Sequence, residues 1–139
     1  MGKNTEETTG QAKVLLVGLE SSAVDFDKWP GLTEEGLHAA AGLVRSKLVA
    51  EGFGVHWCLT GTGPEARGQL REALETVAPD IVSIGAGVRA DPAHLRLFED
   101  FVNWIHRRAP DAVFAFNTDP LDTVESVKRA ARRLRGDRG

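Results

Sequence analysis

Two side chains in the sequence are suited to moving a proton. His94 follows the segment GAGVRADPA, and Asp25 lies in the polar stretch GLESSAVDFDKWPGLT. An imidazole titrates close to neutral pH, and a carboxylate can orient it or accept the proton itself. We therefore predict His94 and Asp25 as the catalytic acid and base. A turn residue explains Asp25 equally well, because aspartate often hydrogen-bonds to the backbone of a turn.

A second group of residues is suited to binding a compact anion. Gly85 and Gly87 let the backbone approach a ligand closely, and Arg89 supplies a fixed positive charge for a carboxylate or phosphate. The alternative for Arg89 is a salt bridge to Asp91 or Glu20. Hydroxyl and amide groups that could orient the ligand belong to Ser21, Ser22, Asn117 and Thr118.

The remaining histidines and the cysteine are better explained as structural residues. His38 and His106 fall within helical patterns, and His56 falls within a strand pattern. Cys58 lies in the middle of that strand with no charged neighbour in sequence, which favours a packed thiol over a nucleophile. A single cysteine also excludes intrachain disulfides and zinc sites built from several cysteines. We predict no metal site and no cofactor, with a flavin or a nucleotide left open.

Several known motifs are missing or incomplete. The segment GAGVRA matches the dinucleotide-binding pattern G-x-G-x-x-A, but Asp91-Pro92 interrupts the chain where that pattern should continue into a helix. The sequence has no phosphate-binding P-loop, no G-x-S-x-G elbow and no H-E-x-x-H. The apolar run before Gly85 also lacks the terminal aspartate of a phosphorelay receiver.

Two classes of function fit these residues. The leading hypothesis is a cofactor-independent lyase, isomerase or hydrolase that acts on a compact anionic metabolite. The alternative is a non-catalytic module, receiver-like or nucleotide-sensing, that binds a partner through the region of Phe98, Phe101 and Trp104. An exposed Trp104 would favour the alternative.

Alternating strand and helix patterns must position these residues. Apolar runs of strand length occupy 13–19, 53–60, 80–88 and 112–117. The spacing of apolar residues predicts helices after Thr33, from Pro64, from Asp91-Pro92 and from Asp122, where Glu125 completes a capping-box pattern.

This alternation predicts a three-layer α/β sandwich with a flavodoxin-like or Rossmann-like parallel sheet of four strands in the order 2-1-3-4. The strand order then reverses between strands 1 and 3, and ligands bind such sheets beyond the carboxyl ends of the strands at that point. The predicted site residues all follow strands 1, 3 and 4. The loop after strand 1 is unusually long, as binding loops often are.

Composition and charge predict the organisation of the chain and its partners. We expect disordered tails at 1–12 and 136–139 around one domain at 13–135. The net charge is −3, but residues 128–139 hold six Lys or Arg and one Asp, which leaves −8 on the remainder. An acidic body argues against nucleic-acid binding, and the absence of a long apolar run argues against membrane insertion. We expect a cytoplasmic protein, and a homodimer that covers the edge of strand 4 or its neighbouring helix.

Three segments of the chain resemble a known group of sequences. They are VGLESSAVDFDKWPGL, IGAGVRADPAHLRLFE and FNTDPLDTVE. Together they resemble an uncharacterised family of small bacterial flavodoxin-like α/β proteins with no assigned activity. The resemblance extends from Lys13 to about Leu134. It implies a bacterial α/β domain and brings no activity with it.

Overall fold

The computed structural model describes residues 11–136 and contains one parallel sheet of four strands, in the order β2-β1-β3-β4. The strands are β1 (Lys13–Leu19), β2 (Gly54–Thr60), β3 (Ile81–Ile84) and β4 (Val113–Ala115). The predicted fold class and strand order are thereby confirmed. The predicted tails at 1–12 and 136–139 lie mostly outside the described residues.

Helices cover both faces of the sheet. They are α1 (Glu34–Ala50), α2 (Glu65–Val77), the short α3 (Ala86–Arg89), α4 (Leu95–Arg108) and α5 (Thr123–Leu134). Helices α2 and α4 pack against one face, and α1 and α5 against the other. Short 3-10 turns at 21–23, 26–28, 92–94 and 120–122 shape the connections at the carboxyl ends of the strands.

The alternation of side chains along the strands divides the core into two layers. In β1, Leu15 and Val17 face α2 and α4, whereas Val14 and Leu16 face α1 and α5. The central strands β1 and β3 are largely apolar and buried, as expected for parallel strands covered on both sides. Among the described strand residues, the buried polar side chains are Thr60 in β2 and Ser83 in β3.

Local capping explains where the helices begin. The Thr33 hydroxyl accepts a hydrogen bond from the Gly36 amide at 3.0 Å, so α1 begins as predicted. The capping box near the start of α5 differs from the prediction. It joins Asp119 to Asp122 around a 3-10 turn, and Asp122 makes no side-chain cap to α5 itself.

The third strand is shorter than the sequence suggested. It ends at Ile84, because the Gly85 carbonyl accepts hydrogen bonds from the amides of Val88 and Arg89 and turns the chain into α3. The predicted run 80–88 is therefore half strand and half helical turn. The long predicted helix that follows begins with a 3-10 turn at 92–94 and becomes α-helical at Leu95.

Helix α4 buries only part of its apolar residues. Leu95 is 57% exposed, whereas Phe101 is fully buried. Trp104 lies half-buried between the guanidinium groups of Arg71 and Arg108, at 5.8 and 5.1 Å from its ring centre. Phe101 and Trp104 therefore do not present the free aromatic surface that the partner-binding alternative requires.

No helix between residues 11 and 136 combines the length and the apolar character needed to cross a bilayer.

Candidate functional site

A largely apolar cavity of about 240 Å³ lies between α1 and the sheet, at the carboxyl ends of β1, β3 and β4. This is the edge of the sheet at which ligands bind in open α/β folds. Its apolar side chains come from the strands, from α1 and from the long loop after β1. They are Leu16, Val17, Leu19, Val24, Trp29, Leu32, Leu37, Ala41, Val44, Trp57 and Leu59.

Small residues account for the space between α1 and the sheet. On the β1 face toward α1, the inward positions run from Val14 and Leu16 to Gly18, which has no side chain. A Cβ atom added at Gly18 would meet only Leu59, at an ordinary contact distance of 3.7 Å. Ala41 lines the cavity from α1, one turn before the buried Val44. The helix therefore packs closely at its carboxyl end and leaves the cavity open nearer its start.

Among the described lining residues the polar groups are few, and one of them is a carboxylate. They belong to Ser21, His38, Ser83, Asn117, Thr118, Asp119 and Thr123. Among the described lining residues there is no lysine or arginine. The cavity thus offers a small number of hydrogen-bonding groups in an apolar surrounding, as small-molecule sites commonly do.

One short polar contact lies where the long loop meets α1. The Ser21 hydroxyl donates a hydrogen bond to a Glu34 carboxylate oxygen at 2.8 Å. His38 follows Glu34 by four residues, which places both side chains on the same side of the helix. Ser21 and His38 both line the cavity. Sequence reasoning had placed Ser21 at the site and had assigned His38 a structural role.

Arg89 forms a structural tie between the ends of β3 and β4. Its guanidinium group donates to the Ile84 carbonyl at 2.7 Å, to the Asn117 side chain at 3.3 Å and also to the Asn117 carbonyl. It also lies over the Phe116 ring, 5.4 Å from the ring centre. Burial lowers the pKa of Arg89, and the nearby Asp122 carboxylate opposes that effect. Arg89 does not belong to the cavity lining, and its predicted anion-binding role stays a prediction.

The predicted catalytic pair is not assembled around the cavity. Asp25 accepts a hydrogen bond from the Asp27 amide at 3.1 Å and so caps a 3-10 turn in the long loop. The His94 ring lies 3.7 Å from the buried Asp91 carboxylate. Neither Asp25 nor His94 lines the cavity, so a shared proton-transfer role for them stays a prediction.

Asp91 fastens the long loop to the junction between β3 and α4. Its carboxylate accepts from the Ala93 amide at 2.9 Å and from the Lys28 ammonium at 2.9 Å. These two hydrogen bonds lower the pKa of Asp91, and the bond from the Ala93 amide has the larger effect. Because Trp29 follows Lys28 and lines the cavity, this ion pair helps to hold the cavity wall in place.

The other predicted ligand-binding residues divide into two sets. Gly85, Gly87, Asn117 and Thr118 line the cavity together with Ser21, whereas Ser22 is exposed and does not. The Asn117 amide group donates to the Thr123 hydroxyl at 2.9 Å. Thr118 donates from its backbone and its hydroxyl to Asp122. Burial tends to raise the pKa of Asp122, but the hydrogen bonds from Thr118 and Asp119 and the charge of Arg129 together outweigh it, and the pKa is lowered.

Cys58 has the features of a packed thiol. It is buried on the face of β2 toward α2, and this burial raises its pKa to about 11. A thiol with so high a pKa is a poor nucleophile at neutral pH. Within residues 11–136 there is no group of three or more His, Cys, Asp or Glu side chains that could hold a metal ion.

Several lining residues were not predicted from the sequence. The main ones are Gly18, His38, Ala41, Trp57, Leu59 and Ser83. Two of them carried a signal: Gly18 interrupts an apolar strand at an inward position, and Ser83 is the one polar residue of the buried strand IVSI. The contribution of Trp57 and Leu59 depends on how far α1 stands from the sheet, which the sequence does not state.

No family model matches the chain, and neither does any curated protein sequence. Among solved structures, it is similar to the psychrotrophic esterase EstA from Pseudoalteromonas sp., with 18% identity, a TM-score of 0.48, and coverage of 91% of this chain and 73% of that one. It is also similar to TesA, with 17% identity, a TM-score of 0.46, and coverage of 88% of this chain and 74% of TesA. Identities this low carry no activity over to this chain. The resemblance to a bacterial family noted in the sequence stays a prediction.

Proposed function

We propose that the protein binds a compact, predominantly apolar and uncharged small molecule in the cavity beneath α1. The observation that carries this proposal is the lining itself, which is apolar over most of its surface and includes a few hydroxyl and amide groups. The volume of about 240 Å³ exceeds that of an engineered cavity of ~150 Å³ that binds benzene. A molecule with one or two rings is therefore of suitable size.

The charge of the lining favours a neutral ligand over the anionic metabolite expected from the sequence. The described lining residues include no lysine or arginine, and Asp119 adds a negative charge. Burying an unpaired anion in such a surrounding costs a large amount of free energy. Arg89 lies outside the lining, and three of its five N–H donors already bond to Ile84 and Asn117. The proposal requires no cofactor.

Thermal unfolding with two ligand panels tests the proposal. One panel holds neutral apolar probes such as 1-naphthol and indole, and the other holds phosphate, citrate, AMP and FMN. A probe at ~100 times its dissociation constant adds about 2.7 kcal/mol to the free energy of unfolding, which raises the midpoint by several degrees. We expect shifts with the neutral panel only. Shifts confined to the anionic panel would instead support the compact anionic ligand that was predicted from the sequence.

The second candidate is an ester hydrolase, and the contact between Ser21 and Glu34 is the observation that favours it. Attack of the Ser21 hydroxyl on an ester carbonyl requires a base that accepts its proton. An imidazole is in general a more effective base near neutral pH than a carboxylate, and His38 is the imidazole in the lining. In the described part of the chain, however, Ser21 hydrogen-bonds to Glu34 and not to His38. We therefore rank hydrolysis second to binding.

Hydrolysis of p-nitrophenyl acetate separates the two candidates. An esterase that uses Ser21 should lose at least ~100-fold in kcat/KM in the Ser21→Ala variant. The matched control is Ser22→Ala, which removes the same group from the neighbouring exposed position. Turnover that equals the buffer rate in the wild type would leave the protein as a binding domain. Equal losses of kcat/KM in both variants would show that Ser21 is not the nucleophile.

A further inference from the structure

Ser83 has an unusual position for a hydroxyl group. It is only 3% exposed, lies in the middle of the buried strand β3, and pairs in register with Leu16 of β1 and Ala115 of β4. These neighbours place it on the face of the sheet toward α1 and α5. It also lines the cavity, and its neighbours in the sheet, Leu16 and Ala115, are apolar.

The Ser83 hydroxyl has no hydrogen-bond partner among residues 11–136, whereas the other buried hydroxyls have one. Thr60 donates to the Gly61 carbonyl at 2.8 Å. Thr123 donates to Pro120 at 2.7 Å, and Ser126 donates to the Thr123 carbonyl at 2.7 Å. A buried hydroxyl without a partner destabilises the folded state, so its partner is expected to be something that enters the cavity.

We propose that Ser83 is a specificity-determining residue that hydrogen-bonds to a neutral hydroxyl or carbonyl group on the buried part of the ligand. This inference rests on the proposed binding function and narrows its ligand class. A serine hydroxyl both donates and accepts, which suits either group. A carboxylate at this depth is disfavoured, because one hydroxyl cannot replace the water lost by a charge. The ligand is therefore an apolar molecule with a polar group on its inner end, not a plain hydrocarbon.

The test compares two probes of nearly the same shape, 1-naphthol and naphthalene. Equilibrium dialysis gives their dissociation constants for the wild type, for Ser83→Ala, and for Ser22→Ala as the matched control. The ratio of the naphthalene constant to the naphthol constant measures recognition of the hydroxyl. We expect this ratio to fall about tenfold in Ser83→Ala, as for the loss of one neutral hydrogen bond, and to stay unchanged in Ser22→Ala.

The stability of the unliganded protein gives an independent readout. Ser83→Ala removes a buried hydroxyl that has no partner in the described chain, so the variant should unfold at the same or a higher temperature than the wild type. A merely structural role for Ser83 predicts the opposite, with lower stability and equally weakened binding of both probes.

The possible failures are distinguishable. If the wild type binds both probes and the ratio is the same in Ser83→Ala, the hydroxyl does not recognise the ligand, although the binding function stands. If the wild type binds neither probe, the proposed function and the assignment of Ser83 are both overturned.

Discussion

Filling the cavity from α1 should stabilise the protein. The Ala41→Leu variant adds three carbons to a side chain that lines the cavity, as Gly18 does from the sheet. Burial of these carbons at about 0.8 kcal/mol each contributes about 2.4 kcal/mol. Ordering the leucine side chain costs about 0.5–1 kcal/mol. We therefore expect a net gain of about 1.5 kcal/mol in the free energy of unfolding.

Thermal unfolding measures this gain, and a nearby alanine supplies the control. For a domain of this length, about 1.5 kcal/mol corresponds to a rise of about 5 °C in Tm. Ala39 is exposed on the same helix, so Ala39→Leu should change the free energy of unfolding by less than about 0.5 kcal/mol. Ala41→Leu should also weaken the binding of 1-naphthol. A Tm of Ala41→Leu that is lower than that of the wild type, or equal to that of Ala39→Leu, would refute the open space beneath α1.

Three further outcomes are expected. Cys58, with a pKa of about 11, should react with iodoacetamide at pH 8 roughly 90-fold more slowly than in the denatured chain, and fast labelling of the native protein would contradict its burial. Arg89→Ala should lower the free energy of unfolding by about 2 kcal/mol and Arg89→Lys should not restore it, because lysine lacks the forked donor group; loss of phosphate binding with unchanged stability would instead identify an anion site. If the predicted homodimer forms through the edge of β4, Phe116→Glu should give monomers in analytical ultracentrifugation at tens of micromolar, whereas Leu59→Glu on the opposite edge strand should not. The reverse result would place the interface at β2, and a monomeric wild type would exclude the dimer.

The sheet was predictable from the sequence because its signals are local. Four apolar runs separated by helical patterns predict a parallel sheet, and the flavodoxin-like order 2-1-3-4 expected for it is the order observed. The start of α1 was predictable for the same reason, since Thr33 caps the helix through its own side chain. The end of β3 was not, because glycines within an apolar run permit both a strand and a turn, and hydrogen bonds to the Gly85 carbonyl decide between them.

The candidate site was predictable in position and only partly in composition. Topology placed it after strands 1, 3 and 4, where the cavity lies. Arg89 and His94 were predicted as site residues from their position after strand 3 together with their side-chain chemistry, but the folded chain provides partners for both in Asn117 and Asp91. Such partners are brought together by tertiary structure. The cavity likewise arises from the spacing between α1 and the sheet, which no single segment encodes.

Methyl NMR of the protein with 1-naphthol tests the central claim most directly. Binding in the cavity predicts chemical-shift changes at the methyl groups of Leu16, Leu37 and Leu59, which line it. The exposed apolar side chains of Val49 and Leu134 lie outside the lining and should not respond. Unchanged spectra at saturating 1-naphthol, or changes confined to Val49 and Leu134, would contradict a ligand site beneath α1.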